Sequence, residues 1–203
     1  MQTDYTSVKI VPADPSGLGI FGLALVTLVA SSQKLGFTEG LSFIIPWALF
    51  LGGAAQLIAS FNDFKLQSIF GATAFGAYGL FWIAVGFTWM FRMGVFGPEL
   101  AAAADIKQLG MVFMAYLIFS LYMTVAAMET NKALFTILAL IDVLFLGLML
   151  DSFGFAGWGK VAAVSELMIS MVGFYAACGA TLNAHFGRKI IPFGKPFGVF
   201  KKV

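Results

Sequence analysis

Long apolar runs separated by short polar breaks make up this chain, with no sustained apolar–polar alternation within them. After a polar opening that carries Asp4, Lys9 and Asp14, six apolar segments follow, bounded by charges, prolines or glycines. They run from about Gly17 to Ser32, Leu41 to Phe61, Ser68 to Phe91, Leu109 to Met128, Ala133 to Leu150 and Val161 to Ala184. Such runs approach the ~20 residues a helix needs to cross the hydrocarbon of a bilayer, and they are too long for the ~10-residue strands of a membrane barrel. The pattern predicts an all-α membrane protein of six transmembrane helices forming one domain over residues 1–203. Its parts are an N-terminal segment (1–16), a membrane core (17–184) and a basic tail (185–203). Pro46 falls one turn inside the second segment, where neighbouring helices can satisfy the carbonyl it frees. Asp14 before Pro15 reads as a helix start: the carboxylate accepts backbone N–H bonds and the proline takes a position that needs no donor.

Composition agrees with this reading and narrows it. Hydrophobic residues make up 60% of the chain and charged residues 11%, against a usual ~25% charged in soluble domains. So few charges cannot cover the outside of a soluble fold of this size. The opening residues lack the basic start, short apolar run and cleavage site of a secretory signal, so the first span is expected to stay in the mature protein. One cysteine, Cys178, permits no internal disulfide and no cysteine-based metal cluster. A net charge of +2, without a basic run interleaved with aromatics ahead of the tail, gives no reason to expect nucleic acid as a partner. Six spans put both termini on one side. That side holds Lys9, Lys65, Lys132, Arg188, Lys189, Lys195, Lys201 and Lys202, and the other holds Lys34, Arg92, Lys107 and Lys160. The excess of basic residues predicts that both termini are cytoplasmic.

Polar groups inside the spans are the candidates for chemistry. Asp142 sits mid-segment with no basic residue three or four positions away, so it must face protein or water. It reads either as a proton-binding or substrate-selecting group on a permeation path, or as a carboxyl that ties two helices together. Glu166, about one and a half turns after Lys160, stands nearer an interface. Gln56 follows Gly52, Gly53, Ala54 and Ala55, small residues that let helices approach while the amide hydrogen-bonds across the contact. Phe75, Tyr78 and Trp82 share one helix face, beside Gly71, Gly76 and Gly79, and suit either a pore constriction or packing. His185 has no partner at metal-ligand spacing and reads as an anchor for the end of the last segment. The ten methionines and 23 phenylalanines read as core filler and lipid-facing groups. No hydrolase triad, Walker loop, nucleotide fingerprint or haem-ligand pair is present, so neither an enzyme nor a cofactor is expected.

Several of these residues fall in blocks that resemble the acetate uptake transporter family, which includes bacterial succinate-acetate permeases and fungal acetate and ammonia-export relatives. Asp14-Pro15-Ser16-Gly17-Leu18-Gly19-Ile20-Phe21-Gly22 is similar to the family signature Asn-Pro-Ala-Pro-Leu-Gly-Leu-x-Gly. Gly52-Gly53-Ala54-Ala55-Gln56, Thr73 through Trp82, and Asn183-Ala184-His185-Phe186-Gly187-Arg188 follow in family order. The resemblance implies a six-helix protomer assembled as a homohexamer in the inner membrane, with a separate path through each protomer. It also implies a carboxylate-attracting mouth at the start of the first helix, formed here by Asp14, Pro15, Leu18 and Gly19. The hydrophobic constriction carries over to Leu23, Tyr78 and Ile141, the last of these resting on Val143-Leu144-Phe145.

The departures from the family are specific. Asp14 replaces the signature asparagine, Gly17 its second proline and Leu23 an aromatic residue. Gln67-Ser68-Ile69-Phe70-Gly71 stands for Gly-Asn-Thr-Phe-Gly, with Asp63 for the glutamate before it, and Asp142 stands where a threonine is expected. An ionised Asp142 would repel a carboxylate, whereas a protonated one could donate a hydrogen bond to it. The expected function is proton-dependent movement of acetate, related short monocarboxylates or succinate, with Gln56 receiving the polar head and Asp142 setting charge preference. Two rivals keep the fold: an ammonium or neutral-solute channel, and a non-transporting structural subunit among membrane lipids.

Overall fold

The computed structural model describes residues 12–200, so Asp4, Lys9, Lys201 and Lys202 of the reading above lie outside the described residues. Among the described residues, six helices are long and apolar enough to cross a membrane. Helix α1 spans Ser16–Lys34. The second span, Ile44–Lys65, joins α2 (Ile44–Trp47), a π-helical stretch (Ala48–Ala55) and α3 (Gln56–Lys65). Then follow α4 (Ile69–Arg92), a short α5 (Pro98–Ala102), α6 (Ile106–Ala127), α7 (Lys132–Ser152) and α8 (Trp158–His185).

Helix starts follow local chemistry. The Asp105 and Asn131 side chains accept from the backbone N–H groups of Lys107 and Leu134, capping α6 and α7. At α1 the helix begins one residue later than the Asp-Pro reading places it. Pro15 is the buried residue just outside, its carbonyl accepting from Leu18 and Gly19, and Asp14 Oδ1 accepts from the Ser16 N–H at 2.8 Å.

The six spans form a ring in the order α1, second span, α4, α6, α7, α8, with α8 packed back on α1. Serine and tyrosine hydroxyls join neighbouring spans by bonding to carbonyls across the gap: Ser170 to Ala24, Ser60 to Ala72, Ser165 to Leu140 and Tyr116 to Ala77. Glycines set the closest crossings. A side chain at Gly52 would strike Trp82, and one at Gly22 would strike the Leu51 carbonyl in the π-helical stretch. The first and last described residues reach the same end of the ring, called here the terminal end. There Asn183 pins the tail through Ile190 and Ile191, and Glu129 Oε1 accepts from the Val199 and Phe200 N–H groups. His185, read from the sequence as the anchor, is exposed, and Asn183 does the anchoring.

Glu166 also departs from its sequence reading. It is 1% exposed and bonds to Lys34 Nζ at 2.9 Å, which ties α8 to the far end of α1.

Candidate functional site

Two cavities open into the ring from opposite ends. The terminal-end cavity, about 240 Å³, is lined from α1 by Ser16, Ile20 and Leu23, from α3 by Gln56 and Asp63, from α4 by Phe70, Gly71, Ala74, Phe75 and Tyr78, and from α7 by Leu134, Ile137, Leu138 and Ile141. The opposite cavity, about 410 Å³, is lined by Lys34, Phe81, Trp82, Arg92, Phe113, Leu144, Asp151 and Glu166 among others. The two share no lining residue. On α4, Tyr78 faces the first and Phe81 the second; on α7, Ile141 faces the first and Leu144 the second. Three residues of helix rise about 4.5 Å, so roughly one turn of side chains separates the cavities.

That turn is sealed by aromatic rings. Tyr78, 5% exposed, stacks on Phe145 with centroids 6.4 Å apart, and Phe145 meets Phe81 edge to face at 5.1 Å. Tyr116 packs on both Phe81 and Phe145, at 4.9 and 5.4 Å. The stripe Phe75, Tyr78 and Trp82 crosses the seal, its first two rings on one cavity and its last on the other.

The structure brings Leu23, Gln56, Tyr78 and Ile141 together on the terminal-end cavity. The Gln56 amide donates to the Gly52 carbonyl of its own helix at 2.8 Å, where the π-helical stretch gives way to α3, rather than across a helix contact. Its other polar atom, the side-chain carbonyl, is the acceptor available to the cavity. Asp14 lines an adjoining recess of about 280 Å³ that shares Ser16, Ile20 and Leu134 with this cavity. Gly19 is buried, and a side chain there would meet the Phe75 ring at 2.5 Å. Leu18 points outward to a shallow groove between α1 and α8. Asp142 lines neither cavity. It turns to α6, where Thr124 Oγ1 donates to its Oδ2 at 2.8 Å.

Ser120 had no signal in the sequence reading, and Asp63 and Glu166 were noted there without the partners the structure gives them. Ser120 accepts from the Tyr78 hydroxyl at 3.1 Å, and Asp63, 4% exposed, presses its carboxylate against Gly71 at the start of α4. Lys34 and Glu166 pair across 132 positions at the opposite cavity. Among the described residues no group of three or more His, Cys, Asp or Glu side chains could hold a metal ion.

Residues 2–193 match the model of the GPR1/FUN34/yaaH family. The chain is 29% identical over 192 residues to the succinate-acetate/proton symporter SatP of Escherichia coli (strain K12), covering 90% of this chain and 96% of that one. It is 27% identical to ammonia transport outward protein 2 of Saccharomyces cerevisiae, over 91% of this chain and 67% of that one. The solved structure of the bacterial acetate channel SatP superposes with a TM-score of 0.82 at 28% identity, covering 90% of this chain and 99% of that one. With six membrane-capable helices and a family match over nearly its whole length, the chain belongs to the GPR1/FUN34/yaaH family and is a multi-pass membrane protein.

Proposed function

We propose that this protein moves acetate and related short carboxylates, succinate included, across the inner membrane along the path that joins its two cavities. The observation that carries the reading is the one-turn seal between them, built around Leu23, Tyr78 and Ile141, the positions the family resemblance assigns to a constriction. A cavity of about 240 Å³ lies below the usual ~300–1,000 Å³ of ligand pockets and so favours a small solute. Ser16 and Gln56 receive the polar head at the terminal end, with Asp14, Pro15 and Gly19 shaping the mouth. The apolar side chains at the seal then strip water from the methyl end. At the opposite mouth Arg92 offers positive charge, Lys34 being paired with Glu166, and Asp151 stands on the same cavity. The bias of basic residues supports cytoplasmic termini, and the family resemblance supports a homohexamer with one path per protomer and movement coupled to protons.

One observation favours a second cargo on the same fold. Asp63 lines the terminal-end cavity and Asp14 lies beside it, and two carboxyls suit ammonium better than an anion. The closed seal by itself also fits a non-transporting subunit, but opposed cavities leading to it favour a path.

Radiolabelled acetate uptake into proteoliposomes with an acidic exterior tests the proposal. Uptake is expected to exceed that of protein-free vesicles. If it does not, while a conducting homologue does so in the same assay, the acetate reading is wrong. Uptake of labelled methylammonium in place of acetate would establish the second cargo.

A further inference from the structure

The seam between α4 and α6 carries a polar chain that leads away from the constriction and ends on an unsatisfied atom. The Tyr78 hydroxyl donates to Ser120 Oγ at 3.1 Å. Ser120 and Thr124, four residues apart, lie on one face of α6, and both face the carboxyl of Asp142. Thr124 satisfies Asp142 Oδ2, whereas Oδ1 is buried and has no hydrogen-bond partner. Asp142 is ten residues from either end of α7, about 15 Å of helix from each. Besides Tyr78, the titratable side chains near this chain are Tyr116 and Tyr122 on α6. On α8, which packs on the other side of α7, Glu166 is already bound to Lys34.

We propose that Asp142 binds a proton, and that this proton reverses the direction of the chain and so sets whether Tyr78 offers the path a hydrogen-bond donor or an acceptor. This rests on Tyr78 being a constriction residue of the path. When Asp142 is ionised, Oδ1 is an acceptor. The Ser120 hydroxyl turns to donate to it, the Tyr78 hydroxyl donates to Ser120, and only the Tyr78 oxygen lone pairs face the path. When hydronium delivers a proton to Oδ1, one hydronium O–H bond breaks and a carboxyl O–H bond forms, so water departs and the carboxyl loses its charge. Asp142 then donates to Ser120 Oγ, Ser120 turns its own hydrogen onto the Tyr78 oxygen, and the Tyr78 hydrogen turns toward the path. A permeating carboxylate needs a donor at the constriction and an ammonium needs an acceptor, so the proton on Asp142 selects between them without entering the path. Asp142 and Ser120 are positioning residues, acting through Tyr78.

Infrared difference spectra of the full-length protein in lipid, acid minus alkaline, read the proton directly. The expected result is a carboxylic-acid carbonyl band that disappears in Asp142→Asn and in Asp142→Thr, and that shifts in Ser120→Ala and in Tyr78→Phe. Two carboxyl variants are used so that one failing to elute as folded protein still leaves the other. A band that persists in both, or that is unmoved by Ser120→Ala, overturns the proposal. In parallel, acetate flux at fixed anion concentration is expected to fall by about tenfold per pH unit above the midpoint in wild type. In Asp142→Asn it is expected to stay within about twofold across the same range, because the amide cannot titrate. A wild-type profile retained by Asp142→Asn counts against the relay. If the band behaves as described while acetate flux equals that of protein-free vesicles, the relay stands and the carboxylate cargo falls.

Discussion

Gln67 lies in the left-handed region at φ 59°, the only described non-glycine residue there, in the tight turn between α3 and α4. The family pattern has a glycine at this place, and the structure shows why: an L side chain there costs ~1–2 kcal/mol that glycine avoids. Glycine in turn loses ~0.5–1 kcal/mol through the freedom of its unfolded chain. Gln67→Gly is therefore expected to stabilise the protein by about 0.5–1 kcal/mol, read as a rise in the temperature of half-loss of folded protein in detergent. A fall would show that the Gln67 side chain makes up for its backbone. Asp14 is a departure of another kind. Where the family carries a neutral asparagine, this chain places a carboxyl on the first N–H of α1, the ground on which an anion would land. These consequences were open to the sequence only as substitutions against a pattern. The angle at Gln67 and the bond at Asp14 came from the structure. Ser120 and Thr124 were not legible at all, because hydroxyls in membrane helices commonly bond back to their own helix, as Thr27, Ser32, Thr88 and Thr136 do here.

At the scale of elements, the spans were legible because a run of apolar residues near bilayer length has few other uses, and each predicted segment falls within a few residues of a helix. The interior of the second span was not legible. A π-helical stretch after Pro46 leaves no periodic signature, although it widens the turn at the Gly22 crossing and turns Gln56 toward the cavity. The tie between α1 and α8 was hidden too, because Lys34 and Glu166 each stand near the end of an unremarkable run. Removing one member of a buried pair strands the other, at a cost of ~3–5 kcal/mol, whereas replacing both with apolar residues of similar size is often neutral. Lys34→Met is expected to destabilise the protein by about that amount, lessened by the partial exposure of Lys34. The double variant Lys34→Met with Glu166→Leu is expected to recover most of it. Thermal melts of the single and double variants in detergent measure both, and a double variant less stable than the single would refute the account of α1–α8 pairing.

For the molecule as a whole, the ring of six helices places polar side chains on both cavities and, between them, a layer of aromatic rings that carries the Tyr78 and Tyr116 hydroxyls. The paucity of charge reads as a property of the whole chain. The placement of charge in space came from the structure, with Lys34, Arg92, Asp151 and Glu166 on one cavity and Asp63 on the other. Leu23, Tyr78 and Ile141 lie 55 and 63 positions apart and became neighbours on paper only through the family resemblance; the fold brings them to one cavity floor. The aromatic neighbours that complete the seal, Phe81, Phe113, Tyr116 and Phe145, were indistinguishable in the sequence from lipid-facing rings. The central claim is that solute crosses at this one turn. The most direct test is acetate flux in proteoliposomes for wild type and for Ile141→Trp, which adds bulk to the floor without adding charge. Both proteins must first be shown to elute as folded species. Flux in the variant is expected to fall toward that of protein-free vesicles, because added bulk at a closely packed constriction leaves less room for a solute. Flux equal to wild type in a folded Ile141→Trp protein would place the path elsewhere and contradict it.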